Sequence, residues 1–184
     1  MKPLHLISAT GMALALTLSS LPCAAQTKEA LDAGVLETVK QFEVLDPRHR
    51  QLERQAAGML VFPQIIKGGI GLASEYGAGS LWMGGSAVDY YSVASASFGL
   101  TAGMASHSEV ILFMTQDALD KFTRSRGWSV GADTGVVLVT KGMMDDYETY
   151  KRGKPVLVFW FAEKGLLADL SLQGTKVNKI AKLK

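Results

Sequence analysis

The 184-residue chain is poor in the side chains that build covalent and metal frameworks, with one cysteine and three histidines. A single cysteine excludes a disulfide framework, and so few thiol and imidazole groups leave little material for a zinc or haem site. The formal net charge is only +2, so no overall field marks the chain as a nucleic-acid binder. Because 48% of the residues are hydrophobic, a disordered chain is also excluded, and the length suits one domain.

Motifs for catalysis are missing as well. The sequence contains no HExxH, GxxxxGK or GxSxG pattern, and the glycines from Gly69 fall one residue short of a dinucleotide fingerprint with no helical period after them. The sequence places His49 on a solvated helix face among arginines and His107 in a turn, neither with a partner at catalytic spacing. The adjacent carboxylates Asp145 and Asp146 lie in a predicted loop. We therefore expect no enzymatic activity, no metal and no cofactor.

The first 25 residues have the pattern of a secretory signal. Lys2 is their only charged side chain, an apolar stretch follows from Gly11 to Leu21, and small residues precede a cut after Ala25. We expect an exported, periplasmic product. The alternative is a lipoprotein anchored through Cys23, which is less favoured because Ser20 and Pro22 do not fit that signal.

Three helices are predicted after the signal. In the first, apolar residues recur at spacings of three and four, which gives it one apolar face. Asp46 followed by Pro47 is a typical start for the second helix, and Thr115 is a suitable cap for the third. The predicted ranges are 27–45, 47–57 and 116–125.

The rest of the chain predicts strands. Nine glycines fall between Gly68 and Gly103, and no proline occurs between Pro63 and Pro155, which keeps backbone N–H groups available for pairing. Residues alternate with period two from Val88 to Met104, after a Gly84-Gly85 hairpin turn. Further strands are predicted at 110–114, 136–139 and 156–162, with a final hairpin turn at 164–165. Together these features predict an α+β fold: a small antiparallel β-barrel of about seven or eight strands, with three helices packed on its outer surface.

Charge is distributed unevenly along the chain. Residues 26–149 contain 10 basic and 15 acidic side chains, whereas residues 150–184 contain 8 basic and 2 acidic ones, a balance of +6. One basic focus is a predicted loop that also contains aromatic residues, and the other is a predicted tail over 176–184. Cations beside aromatic side chains suit an anionic phospholipid surface. The residues concerned are Lys151, Arg152 and Lys154 with Tyr147 and Tyr150, and Lys176, Lys179, Lys182 and Lys184.

Several motifs follow one another in order along the chain, among them Gly58–Pro63, Lys67–Gly71, Ser97–Gly103, Glu109–Phe113 and Lys164–Gly174. In this order they resemble the SYLF family. The resemblance implies a small β-barrel with surface helices and a lipid-binding module that prefers acidic phospholipids, phosphoinositides in eukaryotic members. Some members also bind actin filaments beside an SH3 domain, and members are not known as enzymes.

The first predicted helix departs from the eukaryotic pattern because it is net acidic, with Lys28 and Lys40 against four carboxylates. The predicted lipid contact therefore lies in the two C-terminal basic foci, with Arg48, Arg50 and Arg54 as a secondary patch. We expect residues 26–184 to form a monomeric domain that binds anionic head groups weakly and reversibly. The alternatives are a barrel that carries a small apolar ligand, and an envelope structural protein that binds another protein.

Overall fold

The computed structural model describes residues 27–125, 128–130, 136–139, 154–168 and 175–181. These residues form a mixed α+β structure of three helices and a six-stranded sheet. The helices are α1 (Lys28–Leu45), α2 (Pro47–Gln55) and α3 (Gln116–Arg124). The strands are β1 (Gly58–Met83), β2 (Ser86–Phe113), β3 (Trp128–Val130), β4 (Val136–Val139), β5 (Val156–Ala168) and β6 (Thr175–Lys179).

All three helices begin at a side-chain cap. Thr27 accepts a hydrogen bond from the Ala30 N–H, and Thr115 accepts one from Ala118. Asp46 accepts from the Arg48 N–H at 2.8 Å, directly before the proline that opens α2. Each cap satisfies a donor that the first helical turn leaves without a partner. The predicted helices are therefore confirmed to within two residues, and so are the predicted caps Asp46 and Thr115.

One long hairpin makes up most of the sheet. β1 and β2 pair antiparallel along their whole lengths, from Gly58 opposite Phe113 to Met83 opposite Ser86. The turn between them uses Gly84 and Gly85, with φ of 57° and 84°, a left-handed region that favours glycine. The predicted hairpin turn is confirmed, and the predicted strands at 88–104 and 110–114 are one continuous strand.

The hairpin bends sharply near its middle. Ile70 pairs with Ala102 and Leu72 pairs with Phe98, so three residues of β2 stand opposite Gly71 alone. Extra residues on one strand bend a ribbon and increase its twist. Gly71 has φ of +70° at this bulge, and glycine takes that conformation without steric cost.

Beyond the bend, the second half of β1 returns against the first half. A Cβ added at Gly77 would lie 2.8 Å from the Gln64 carbonyl oxygen, and one added at Gly79 would overlap the Val61 carbonyl oxygen and the Phe62 ring. These two glycines therefore let the two halves approach more closely than any larger residue would permit.

The remaining strands add to the free side of β2. β6 pairs with β2 at Tyr91–Ala94, and β5 pairs with β2 at Ala102–Phe113. β3 joins the far edge of β6, and β4 joins that of β5. The described strands form a six-stranded sheet that is not closed into a barrel, so the barrel prediction is not confirmed.

Two further expectations about the strands need correction. β4 runs parallel to β5, so the sheet is mixed and not purely antiparallel. A parallel neighbour needs a long crossover, and residues 140–155 separate the two strands. The predicted turn at Lys164-Gly165 is wrong, because β5 continues through it to Ala168. Gly165 instead serves a close approach: it has φ of +93°, and a Cβ there would overlap the Met104 carbonyl oxygen.

The sheet separates two hydrophobic cores. Successive residues of a strand point to opposite faces, so Leu60, Ile111 and Val158 line one face while Val61, Leu112 and Leu157 line the other. α3 packs in the first core, and α1 and α2 cover the second. The sequence analysis expected all three helices on one outer surface, but they pack on opposite faces of the sheet.

The glycines at the fold-back give a direct test of this packing. We expect Gly79→Ala to lower the free energy of unfolding by about 1–3 kcal/mol or more, because the added methyl group would push the two halves of β1 apart in a packed core. Ser74→Ala, at an exposed position of the same strand, should change it by less than about 0.5 kcal/mol. Urea unfolding of both variants measures the difference, and equal stabilities would contradict the close approach.

Candidate functional site

The secondary basic patch on α2 is largely neutralised by neighbouring carboxylates. Arg48 Nη2 lies 2.6 Å from Asp46 Oδ2, and Arg50 Nη2 lies 2.9 Å from Glu43 Oε2. The hydrogen bond from Arg48 lowers the pKa of Asp46 to about 2. Arg54 is exposed, and its charge acts on Glu43 and Glu53. The α2 arginines are thus part of a mixed-charge surface that offers an anionic membrane little net attraction.

The second predicted focus is partly built into the sheet. Lys176 and Lys179, which the sequence assigned to a basic tail, lie on β6, whose Val177 is buried in the first core. Lys179 Nζ forms an ion pair of 2.7 Å with Asp89 Oδ1, whereas Lys176 is exposed. Lys182 and Lys184 lie outside the described residues.

Of the first focus, the structure describes Lys154 alone. It is exposed, two residues before β5 begins. Lys151, Arg152, Tyr147 and Tyr150 fall outside the described residues, and so do Asp145 and Asp146. Lys154 precedes β5 and Lys176 lies on β6, and these two strands pair with different segments of β2. Neither lysine forms an ion pair with the residues that the structure describes.

The structure also contains a buried polar cluster that the sequence analysis missed. Glu109 is 1% exposed and pairs across strands with Trp160 and Phe62, and His107 Nε2 lies 3.9 Å from Glu109 Oε2. The rings of His107 and Trp160 have centroids 5.2 Å apart. Glu75, also buried, accepts a hydrogen bond from Ser95 at 2.9 Å.

Burial sets the electrostatics of this cluster. Desolvation raises the pKa of Glu109, and the charge of Glu75 adds to that shift, while His107 and Trp160 oppose it. Glu109 Oε1 and His107 Nε2 have no hydrogen-bond partner among the described residues. A carboxyl group in such surroundings favours its neutral form. The same residues contain no group of three His, Cys, Asp or Glu side chains arranged to hold a metal ion.

Both histidine predictions are wrong. His107 lies within β2 and not in a turn, and its side chain is only 15% exposed. His49 is buried on the inner side of α2, where its Nδ1–H donates to the Phe42 carbonyl oxygen at 2.7 Å and its ring stacks on Phe42 at 4.0 Å. Burial lowers the pKa of His49, so the neutral imidazole serves as a core side chain.

The sequence held one weak signal for the buried carboxyl group. Glu109 directly precedes Val110–Phe113, a continuous apolar run typical of a strand covered on both faces. Its partners Trp160 and Glu75 are distant in sequence, and only the pairing of three strands brings them together.

Comparison with known protein families matches the C-terminal half of the sheet region. A family model described as "Ysc84: Las17-binding protein actin regulator" matches residues 94–182, from the middle of β2 through β6. No curated protein matches the chain. Among the described residues, no helix has both the length and the hydropathy to cross a bilayer.

The matched segment contains most of the sheet, the third helix and the buried Glu109. The match is consistent with a SYLF domain family member, the family that the ordered glycine motifs of the chain resemble.

The buried carboxyl group predicts a specific pH dependence. The pKa of Glu109 is higher in the folded state than in the unfolded chain, so its stabilising contribution is complete below the unfolded value of about 4.3 and is lost as pH rises through the folded value. Glu109→Gln should therefore match the parent in acid and exceed it by about 1–3 kcal/mol once Glu109 ionises.

Urea unfolding across the pH range measures this difference. Glu37→Gln, at an exposed position of α1, is the matched control and should follow the parent at every pH. A stability difference for Glu109→Gln that does not change with pH would contradict the assignment.

Proposed function

We propose that this SYLF-family protein is a non-enzymatic module that binds phospholipid surfaces, attracted by anionic head groups. Membership of the family supports lipid-related or actin-related binding. The observation that favours lipid is the exposure of Lys154 and Lys176, which have no carboxylate partner among the described residues, within a segment of balance +6. Each such cation near an anionic leaflet contributes on the order of 1 kcal/mol, so binding is weak and reversible.

The structure narrows the set of residues proposed to contact lipid. Arg48, Arg50 and Lys179 each have a carboxylate partner at 2.9 Å or less, so they contribute little attraction of their own. Lys154 and Lys176 carry the proposal among the described residues, with Lys151, Arg152, Lys182 and Lys184 added from the sequence. The signal-like residues 1–25 support export, and in the periplasm phosphatidylglycerol or cardiolipin would supply the negative surface.

The alternative of a carrier barrel loses support. The first core is filled by buried aromatic side chains, among them Phe62, Phe113, Phe122 and Trp128. Their ring centroids are 4.7 Å apart for Phe113 and Phe122 and 5.6 Å apart for Phe122 and Trp128. These contacts show that protein side chains occupy the first core at these positions, which does not favour a bound apolar ligand there.

Vesicle co-sedimentation tests the proposal. The protein, purified after processing by a bacterial host and checked by mass spectrometry for its N-terminus, should bind vesicles more tightly as their phosphatidylglycerol content rises. Added salt should weaken the binding. Replacing both Lys154 and Lys176 by Glu should lower the partition coefficient by about tenfold or more.

A matched charge change separates a local effect from net charge. Lys40→Glu makes the same Lys-to-Glu change at an exposed position of the acidic α1. It should lower the partition coefficient less than Lys154→Glu or Lys176→Glu alone. Equal losses for all three single variants, or binding indifferent to lipid charge, would contradict the proposal. Binding to an envelope protein in place of vesicles would support the structural alternative.

A further inference from the structure

The bend of the β1–β2 hairpin exposes an unusual concentration of apolar side chains. Ile70 is 88% exposed and Met104 is 68% exposed, and three further apolar side chains near them are 44–62% exposed. Large apolar side chains gathered at one exposed place are uncommon on a soluble protein and mark a contact surface. We call this set the ribbon tip: Ile66, Ile70, Leu72, Tyr76 and Met104.

Strand register places these residues together on one face. Gly68 pairs with Met104, and Ile66 and Ile70 flank Gly68 at spacings of two, so the three side chains share the same face of the ribbon. Leu72 and Tyr76 follow the bulge at Gly71. They alternate along β1 with Ala73 and Glu75, whose side chains are buried, so Leu72 and Tyr76 lie on the exposed face. The tip is thus the outer, convex side of the bend.

The chemistry of the two tip segments favours a bilayer as the partner. Residues 64–74 and 96–106 contain no aspartate or glutamate, and Lys67 is their only charged residue. Glu75, next to Tyr76, is buried and alternates away from the tip. An acid-free apolar surface can enter an anionic interface without taking a carboxylate out of water. A protein partner would more often meet a polar, charged rim around the apolar centre.

We infer that the ribbon tip inserts its exposed apolar side chains into the head-group and acyl boundary of the membrane, while the basic residues act on the lipid charge. This inference rests on the proposed function and adds a second, salt-resistant contact to it. Insertion is shallow, because residues 99–101 of the bulge have no cross-strand partner on β1 and their backbone groups need water. Tyr76 suits the head-group level.

Site-specific labelling tests the inference. The only cysteine, Cys23, is replaced by Ser, and an environment-sensitive fluorophore is attached at Ile70→Cys or Met104→Cys. Val44→Cys is the matched control, since Val44 is an 83% exposed apolar residue on α1. Anionic vesicles should shift the emission of the two tip labels to the blue and leave the control unchanged.

A neutral substitution separates the tip from the charges. The double variant Ile70→Ser, Met104→Ser should lower the partition coefficient in high salt by about tenfold, whereas Val44→Ser should not. The charge variants at Lys154 and Lys176 should instead reduce the salt-sensitive part of binding. Thermal unfolding confirms that the serine variants remain folded.

The outcomes distinguish this inference from the proposed function. Vesicle binding with tip labels that remain in water overturns the inference and leaves the proposed function standing. Loss of all vesicle binding in the parent overturns both. A blue shift that depends on protein concentration and needs no vesicles assigns the tip to contact between copies of the chain, which also overturns the inference.

Discussion

The close contact between the two halves of β1 is the constraint on which the rest of the structure depends. It requires hydrogen in place of a side chain at Gly77 and Gly79, because the carbonyl oxygens of Gln64 and Val61 occupy the space where a Cβ would stand. Once the ribbon folds over at Gly71, β2 presents two separate segments on its free side. β5 adds to one and β6 to the other. A single bend thus determines both where the remaining strands pair and which residues are left at the tip.

The same bend explains the unequal character of the two sheet faces. The sheet face that lines the first core is apolar around α3 and Trp128, but it becomes polar toward Glu109, His107 and Glu75. The opposite face, which lines the second core, is covered by α1 and α2 near the strand ends and is exposed to solvent near the bend. Helices shield the part of the sheet that forms the second core, and the uncovered part carries the exposed apolar side chains. Buried apolar side chains therefore lie toward the strand ends of the hairpin, and exposed ones lie at its bend.

Local signals in the sequence were sufficient for the helices and for the main turn. Asp46 and Thr115 act on their own first turns, and Gly84-Gly85 determines its own backbone angles, so no distant contact is needed to predict them. Several of the differences from expectation involve partners elsewhere in the fold. His49 is neutral and buried because Phe42 and Phe159 surround it, and Gly165 sits within a strand because Met104 lies against it. Helix packing brings Glu43 to Arg50 and strand pairing brings Asp89 to Lys179, whereas Arg48 pairs with Asp46 in its own helix cap.

The position of β6 has a consequence for how the protein is made. This strand, at residues 175–179, lies between β3 and β2 and places Val177 in the first core beside Trp128. Its pairing with Tyr91–Ala94 spans more than eighty residues of chain. The first core therefore cannot be completed before β6 has left the ribosome, and a nascent chain that stops short of residue 175 would remain incompletely packed. Pairing between segments so far apart in sequence keeps the growing chain open to chaperones until β6 emerges.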